Sequence, residues 1–283
     1  MKIAISGASG FIGSALANAL IADGDQVRRI ARPYGQDDVD SAVSGADAVV
    51  NLAGESISGR WTAEKKAEIR ASRLRCTEAV VRSLARVKAR PRVLVSASAV
   101  GFYGDRAEAV DEKSPTGTGF LAEVCRDWET AALAAEPLGV RVVLPRLGVV
   151  LGREGGALAK MLPAFRLGVG GPIGSGRQMM SWISLEDLVR VIRFSISTPG
   201  LQGPVNAAAP APVSNREFTL LLGQAVRRPA VMPLPALVVK TLFGEMGEEL
   251  LLSGVSALPK KLQIQGFSFH HPGLAQAFAA LLG

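Results

Sequence analysis

The sequence predicts an α/β fold built on a doubly wound parallel sheet. The first observation is a short, mostly apolar run at residues 2–6 that breaks at once into a segment with three glycines. The second is the apolar helical pattern that follows from Phe11, and the third is another strand-like run at 26–31. The glycines are Gly7, Gly10 and Gly13. A strand, a helix and a second strand in this order form the βαβ unit of parallel sheets.

The spacing of these glycines favours a dinucleotide site. Gly7 gives the tight turn its backbone freedom, Gly10 leaves room for a pyrophosphate, and Gly13 lets the helix pack on its strand. The helix that begins near Phe11 directs its unpaired N–H groups and the positive end of its dipole at the phosphates. A flavodoxin-like or merely structural turn is the alternative, because a lone glycine motif is a weak indication.

The carboxyl end of the second strand indicates which dinucleotide binds. An acidic residue there would hold the ribose hydroxyls and repel a 2′-phosphate. The chain carries Arg28, Arg29 and Arg32 instead, and a guanidinium grips a phosphate with paired hydrogen bonds. We therefore expect NADP rather than NAD, with Arg32 as the contact. In the alternative interpretation these arginines form only a solvated edge.

The composition is that of an ordinary globular chain. Its 283 residues are 48% hydrophobic and 20% charged, which suffices for one large α/β domain and a smaller appendage. No apolar run reaches membrane-spanning length, so we expect a cytoplasmic, enzyme-like protein. Cys76 and Cys125 lack a paired spacing, and His270 and His271 have no neighbouring ligand at a recognisable spacing. We expect neither a disulfide nor a metal site.

The net charge of +7 raises the question of nucleic acid. Positive charge is densest at residues 60–92, on a helical pattern that also carries Glu64, Glu68 and Glu78. Interleaved charges of both signs without an aromatic stacking set predict a solvated, salt-bridged face, with nucleic-acid binding as the minor alternative. The basic residues are Lys65, Lys66, Arg70, Arg73, Arg75, Arg82, Arg86, Lys88 and Arg90.

The rest of the chain alternates strands and helices. Strands are predicted at 47–52, 92–96, 140–144 and 204–208. Helices are predicted at 62–87, 119–136, 184–197 and 274–282 and from 214 onward, with Thr62, Ser184 and Ser214 as caps. The segment 33–45 is short for a complete helix and strand, and 168–176 is a glycine-rich loop.

Candidate catalytic hydroxyls follow the strand predicted at 92–96. Ser96, Ser98 and Tyr103 lie at or just after its carboxyl end, where an open parallel sheet binds its ligands. A hydroxyl there can hydrogen-bond a substrate carbonyl or alcohol. Ser98 and Tyr103 are therefore catalytic candidates, with the alternative that Ser98 merely caps a turn.

Seven motifs carry a resemblance to a known family. They are GASGFIG at Gly7, NLAGE at Asn51, SASAVGFYG at Ser96, FLAEVCRDWE at Phe120, PRLGVVLG at Pro145, GGPIGSGRQMMSWI at Gly170 and GEMGEELLLSG at Gly244. Through them nearly the whole chain resembles an atypical extended short-chain dehydrogenase/reductase of the NAD-dependent epimerase/dehydratase superfamily, in its YfcH-like subgroup. The resemblance implies a Rossmann-like sheet with a smaller, mainly helical C-terminal lid. It places an NADP-binding domain at 1–225, with a substrate loop at about 153–183, and a small domain at 226–283.

The resemblance also implies a set of cofactor contacts. It places the pyrophosphate on the first motif, the 2′-phosphate on Arg32, the ribose beside the second motif and Ser96, and the nicotinamide beside the fifth motif. The implied contacts are Gly7, Ser9, Gly10, Phe11, Ile12, Gly13, Arg32, Leu52, Ala53, Gly54, Ser96, Pro145, Arg146 and Leu147. Ser98 falls where the larger family keeps its catalytic serine.

The helix after Ser98 departs from the family pattern. The family places a Tyr there and, four residues later, a Lys that lowers the Tyr pKa so that the phenolate can exchange a proton with substrate. Here these two positions hold either Phe120 and Val124 or Leu121 and Cys125. The usual acid/base pair is therefore missing. The short segment 33–45 also departs from the family, which has room there for a further strand and an adenine contact.

Three functional consequences remain open. Tyr103 replaces the proton donor, Glu55 or Glu123 performs acid/base work on an altered substrate, or NADP is bound without turnover. The leading expectation is an NADP-dependent oxidoreductase or epimerase-like enzyme of unknown small-molecule substrate, with Ser98 orienting that substrate. The alternative is an NADP-binding regulatory or structural protein, since some relatives have been linked to cell or plastid division. A monomer and a homodimer are both compatible with the sequence.

Overall fold

The structure, a computed structural model, describes residues 1–283. The strands are β1 (Lys2–Ser6), β2 (Gln26–Ile30), β3 (Ala48–Asn51), β4 (Val93–Ser96), β5 (Ser98–Ala99), β6 (Ala109–Val110), β7 (Arg141–Leu147), β8 (Val149–Leu151), β9 (Met179–Met180), β10 (Trp182–Ser184), β11 (Gly203–Ala207), β12 (Val213–Ser214) and β13 (Ser256–Ala257). The helices are α1 (Phe11–Ala22), α2 (Gln36–Val43), α3 (Ala63–Arg86), α4 (Phe120–Leu133), α5 (Gly156–Arg166), α6 (Leu185–Ser197), α7 (Asn215–Ala225), α8 (Ala236–Phe243), α9 (Glu245–Gly247), α10 (Lys260–Ile264) and α11 (Leu274–Leu282). Short 3-10 turns span Val100–Tyr103 and Glu136–Leu138, and a π turn spans Glu248–Leu252.

Seven strands form one parallel sheet in the order β11-β7-β4-β3-β1-β2, with β5 also paired to β7. The chain passes from β1 to β2 on one side and then returns to place β3 on the other side of β1. The strand order therefore reverses at β1, which opens a crevice at the carboxyl ends of β1 and β3. The predicted doubly wound α/β fold is confirmed.

Apolar side chains cover both faces of the sheet. One face packs on α1 and α6 through a cluster that includes Ile5, Leu16 and Ile192. The other face packs on α2, α3 and α4 through a cluster that includes Val49 and Val80. This burial on two sides explains why the central strands read as continuous apolar runs.

Most predicted element boundaries agree with the structure within a few residues. The segment 33–45 holds the eight-residue helix α2 and no strand, so β2 is the edge of the sheet. Helix α4 ends at Leu133, before the predicted residue 136, because a separate 3-10 turn follows it. The predicted caps are confirmed, since the hydroxyls of Thr62, Ser184 and Ser214 each accept a hydrogen bond from the N–H three residues later.

The residues after 225 are mainly helical and pack on the preceding chain. Strand β13 pairs in parallel with β6. The Met232 N–H donates to the Gly170 carbonyl oxygen at 3.1 Å, and the Leu234 N–H donates to the Pro172 carbonyl oxygen at 2.9 Å. The glycine-rich loop is thus tied to the C-terminal region. No helix combines the length and apolar character needed to cross a membrane.

His270 and His271 join the C-terminal segment to the start of α6. Their backbone N–H groups both donate to the Asp187 carboxylate at 2.8 Å. The His271 Nδ1 also lies 3.0 Å from the Ser184 hydroxyl. These hydrogen bonds hold the C-terminal segment against the beginning of α6.

Candidate cofactor and active site

The glycine turn between β1 and α1 lies at the mouth of the crevice. Gly7 has φ +72°, and a Cβ there would lie 2.9 Å from the Leu52 carbonyl carbon. A Cβ at Gly13 would lie 2.1 Å from the Gly7 carbonyl oxygen, so α1 rests directly on the turn. No side chain caps α1, whose N-cap is Gly10. Its first N–H groups are therefore available to an anion, and the turn fits a pyrophosphate.

The Phe11 side chain closes one side of this mouth. A Cβ at Gly152 would lie 2.5 Å from the Phe11 ring, and one at Gly155 would lie 2.3 Å from it. Because these glycines follow β8, the ring fits a slot in the segment that leads to α5. The Phe11 ring is thus engaged in packing, and its main-chain N–H is the group that remains for the predicted cofactor contact. Ser9 is exposed beside it, and Ile12 is half-buried.

Arg32 lies exposed just past the end of β2. Its Nε donates to the Tyr34 hydroxyl at 3.4 Å, and this hydrogen bond raises the pKa of the Arg32 guanidinium. It makes no ion pair, so its remaining N–H groups are free to bind a phosphate. Arg28 differs, because its Nη1 donates to the Ser44 carbonyl oxygen at 2.7 Å.

Asn51, at the carboxyl end of β3, holds a buried polar cluster below the crevice. The Ser6 hydroxyl donates to Asn51 Oδ1 at 2.6 Å, and Asn51 Nδ2 donates to Thr77 Oγ1 at 2.8 Å and to Ser96 Oγ at 3.2 Å. These bonds tie the ends of β1, β3 and β4 to α3. Ser96 was predicted to flank the ribose, but its side chain is fully buried and fixes the strand ends instead. The adjoining Ala53 is buried, and Gly54 is half-buried.

Ser98 begins a second buried chain of hydrogen bonds. Its hydroxyl donates to Glu129 Oε1 at 2.6 Å. Both Glu129 oxygens accept from Arg146, one from Nε and one from Nη2, each at 2.8 Å. Arg146 Nη1 donates to the Tyr103 hydroxyl at 2.8 Å, and that hydroxyl donates to Asn206 Oδ1 at 2.7 Å. A charged pair therefore lies inside the protein just below the carboxyl edge of the sheet.

This chain changes the interpretation of two predicted site residues. Tyr103 has no exposed surface, its hydroxyl is engaged on both sides, and burial raises its pKa. It has no route to a substrate, so its position does not support the predicted role of proton donor. Arg146 directs its guanidinium at Glu129 and stacks 3.5 Å from the centroid of the Phe102 ring. Any cofactor contact of residues 145–147 therefore comes from other groups than this guanidinium.

Helix α4 presents Leu121 and Cys125 to the loop that follows β5. The Leu121 Cβ lies 3.3 Å from the position of a Cβ at Gly101, whereas the Phe120 ring packs outward on a tryptophan that precedes α3. Cys125 is buried beside Ser98, and burial raises the pKa of its thiol to about 11. Of the two registers that the sequence left open, this geometry favours Leu121 and Cys125 at the Tyr and Lys positions. Neither side chain exchanges protons near neutral pH.

The two carboxylate candidates lie in ion pairs at the protein surface. Glu55 Oε1 accepts from Lys65 Nζ at 2.7 Å, and this hydrogen bond lowers the pKa of Glu55. Glu55 is therefore ionised at neutral pH and could act as a base but not as an acid. Glu123 accepts from Arg70 Nη2 at 2.8 Å and is largely exposed.

The sequence did not indicate two hydrogen-bond partners of the buried polar groups at the site. Glu129 and Asn206 complete the Ser98 chain, and neither was singled out. A signal for Glu129 was available, because it lies four residues after Cys125 and therefore on the same inward face of a helix. No comparable local pattern pointed to Asn206.

The sequence matches the NAD dependent epimerase/dehydratase family over residues 3–207 and a domain of unknown function, DUF1731, over residues 234–281. An epimerase family protein of Mycobacterium bovis is 47% identical over 289 residues, covering 97% of this chain and 95% of that protein. A relative from Arabidopsis thaliana, named a chloroplastic homolog of the epimerase family protein SDR39U1, is 42% identical over 303 residues, covering 100% of this chain and 87% of that protein.

A solved structure has the same fold over the full length. The crystal structure of the human epimerase family protein SDR39U1 (isoform 2) with NADPH aligns with a TM-score of 0.93 at 34% sequence identity. The alignment covers 100% of this chain and 99% of that chain. It includes the C-terminal region as well as the parallel sheet.

Proposed function

Because the chain belongs to the NAD dependent epimerase/dehydratase family, we propose that it binds NADP(H) in the crevice at β1 and β3 and exchanges hydride with a small-molecule substrate. The observation that carries the proposal is the exposed Arg32 guanidinium, free of any carboxylate, at the end of the strand that borders the glycine turn. The human relative crystallised with NADPH supports the same choice of cofactor.

The residues of the chain bind and orient the reactants. The turn from Gly7 to Gly13 and the first N–H groups of α1 hold the pyrophosphate, and Arg32 holds the 2′-phosphate. The bound cofactor supplies or accepts the hydride. Ser98 donates its O–H to Glu129, so its oxygen lone pairs remain acceptors for a substrate hydroxyl. Ser98 is only 1% exposed, so this contact requires the residues over it to move when substrate binds. Arg146 pairs with Glu129 and fixes the carboxylate in the position where it accepts the hydrogen bond of the Ser98 hydroxyl.

We predict that Arg32→Ala weakens NADPH binding by about tenfold to a hundredfold, the cost of losing a hydrogen bond to a charged group. Binding of NADH should change little, because NADH lacks the 2′-phosphate. Titrations that follow nicotinamide fluorescence measure both dissociation constants.

Arg29→Ala is the matched control for this experiment. Arg29 is an exposed arginine of the same strand and lies before its end. The control should leave the preference for NADPH over NADH unchanged. An Arg32→Ala variant that keeps the wild-type preference would contradict the assignment of Arg32, and a wild-type protein that binds neither nucleotide would contradict the proposed function.

One observation favours a second function, NADP binding without turnover. The hydroxyls of Ser98 and Tyr103 are both bonded to buried partners, and α4 carries neither Tyr nor Lys at the family positions. A regulatory NADP-binding protein needs no proton donor. Such a protein would cover the C4 face of the nicotinamide with apolar side chains, whereas an enzyme leaves that face accessible beside Ser98.

The organisation of the protein around this site is also a proposal. We assign residues 1–225 to NADP binding, with the loop at 153–183 facing substrate, and residues 226–283 to a lid over the nicotinamide end. The boundary coincides with the end of α7. We expect a cytoplasmic monomer or homodimer.

A further inference from the structure

One basic residue of helix α3 forms no ion pair. The helix bears seven Lys and Arg residues, and six of them lie within ion-pair distance of a carboxylate, as expected for a solvated face. The six are Lys65, Lys66, Arg70, Arg75, Arg82 and Arg86. Arg73 is the exception, and it is half-buried rather than exposed.

The Arg73 guanidinium lies against the loop that follows β3. A Cβ at Gly54 would lie 3.1 Å from Arg73 Cζ and 3.3 Å from its Nη2, so the guanidinium packs closely on the glycine. Arg73 Nη1 donates to the carbonyl oxygens of Ile69 at 2.8 Å and Glu55 at 3.1 Å. Its Nε and Nη2 have no acceptor in the protein. Two of the three guanidinium nitrogens therefore keep N–H groups without an acceptor, at the edge where the cofactor is proposed to bind.

The groups around Arg73 do not neutralise its charge. Its Cζ lies 5.2 Å from the centroid of the Trp128 ring on α4, and burial lowers the pKa of the guanidinium. The titratable groups that act on it are Glu55, which is paired with Lys65, and Cys125, which stays a neutral thiol at neutral pH. A partly desolvated cation with free N–H groups is best satisfied by an anion that bonds to them.

We propose that Arg73 is an anion-binding residue of the crevice, whose free N–H groups hold a carboxylate or phosphate group of the bound ligand. The inference rests on the proposed function and extends it. Arg73 reaches from α3 toward Cys125, which occupies the position where the family places its Lys. The anion belongs either to NADPH itself or to an anionic substrate, and these two sources are separable by experiment.

The test compares three variants with the wild-type protein. Arg73→Met keeps the aliphatic stem over Trp128 and removes the charge, and Arg73→Lys keeps the charge without the fork. Arg75→Met is the matched control, because Arg75 lies on the same helix in an exposed pair with Glu68. For each protein we would measure the dissociation constant of NADPH, and then those of oxalate and inorganic phosphate with the NADPH-saturated protein.

We expect Arg73→Met to raise at least one of these dissociation constants by about tenfold to a hundredfold. Arg73→Lys should raise the same constant less, and Arg75→Met should leave all of them unchanged. A change confined to NADPH assigns the anion to the cofactor, and a change confined to oxalate or phosphate assigns it to the substrate. Wild-type values in every titration of both Arg73 variants would overturn the inference while the proposed function stands. If the wild-type protein binds no NADPH, the proposed function fails, and the titrations of the free protein with oxalate and phosphate still decide the role of Arg73.

Discussion

Glu129→Ala should lower the free energy of unfolding by about 3–5 kcal/mol, because it leaves the Arg146 guanidinium buried without a counter-charge. The side chains of Glu129 and Arg146 are only 7% and 3% exposed, so bulk water does not screen the guanidinium once the carboxylate is removed. The Ser98 hydroxyl loses its acceptor in the same variant. Urea unfolding followed by circular dichroism measures the difference in free energy.

Glu123→Ala is the control for this prediction. Glu123 lies on the same helix and pairs with Arg70, but its side chain is 53% exposed. Removing it should cost less than about 1 kcal/mol, as for other surface ion pairs. The buried pair would have no special role in stability if Glu129→Ala and Glu123→Ala destabilised the protein equally. Replacing both partners, in Glu129→Leu with Arg146→Met, should recover much of the loss.

Gly13→Ala should abolish measurable NADPH binding and lower the free energy of unfolding by about 1–3 kcal/mol, a typical cost of overpacking. The added Cβ would lie 2.1 Å from the Gly7 carbonyl oxygen and 2.9 Å from the Ala8 Cα, so main chain rather than a flexible side chain must move. That movement displaces the turn and the α1 N-terminus that hold the pyrophosphate. NADPH titration and urea unfolding of the same preparation measure both effects.

Gly273→Ala provides the comparison for Gly13→Ala. Its added Cβ would lie 3.5 Å from the Gln276 side chain, an ordinary contact that involves no residue of the glycine turn. This variant should bind NADPH like the wild-type protein. Undiminished NADPH binding by Gly13→Ala would show that the cofactor does not depend on the glycine turn.

The elements of the fold were predictable where their signals are local. The apolar runs of β1, β3 and β4 are short and bounded by glycine or polar residues, and the caps Thr62, Ser184 and Ser214 act within three residues of themselves. Boundaries were less predictable, as at the end of α4. There the sequence stays compatible with a helix, but the chain changes to a 3-10 turn.

The buried chain below the site depends on contacts between distant segments. Ser98 and its hydrogen-bond partner Glu129 are 31 residues apart in the sequence, and Tyr103 and its partner Asn206 are 103 residues apart. Tyr103 therefore looked like an accessible hydroxyl at the end of a strand, although the fold encloses it. Arg146 looked like a cofactor contact for the same reason.

Arg73 shows how a charge pattern hides an exception. Six of the seven basic residues in α3 fit the predicted salt-bridged face, and the pattern of charges includes Arg73 among them. Helical spacing indicates instead that Arg73 lies on the buried face of α3, since it is four residues from both Ile69 and Thr77, which are buried. The sequence does not show what this buried face of α3 packs against, and the structure places the loop at Gly54 there.

A crystal structure of the wild-type protein with NADPH tests the central claim most directly. We predict the pyrophosphate at the N–H groups of Phe11 and Ile12, since the Gly10 N–H donates to the Gly7 carbonyl oxygen. We also predict the 2′-phosphate within hydrogen-bonding distance of Arg32 and the C4 face of the nicotinamide accessible beside Ser98. A nucleotide bound away from the glycine turn would contradict the proposed site. A nucleotide in the site with its C4 face covered by apolar side chains would contradict hydride exchange and leave a protein that binds NADP(H) without turnover.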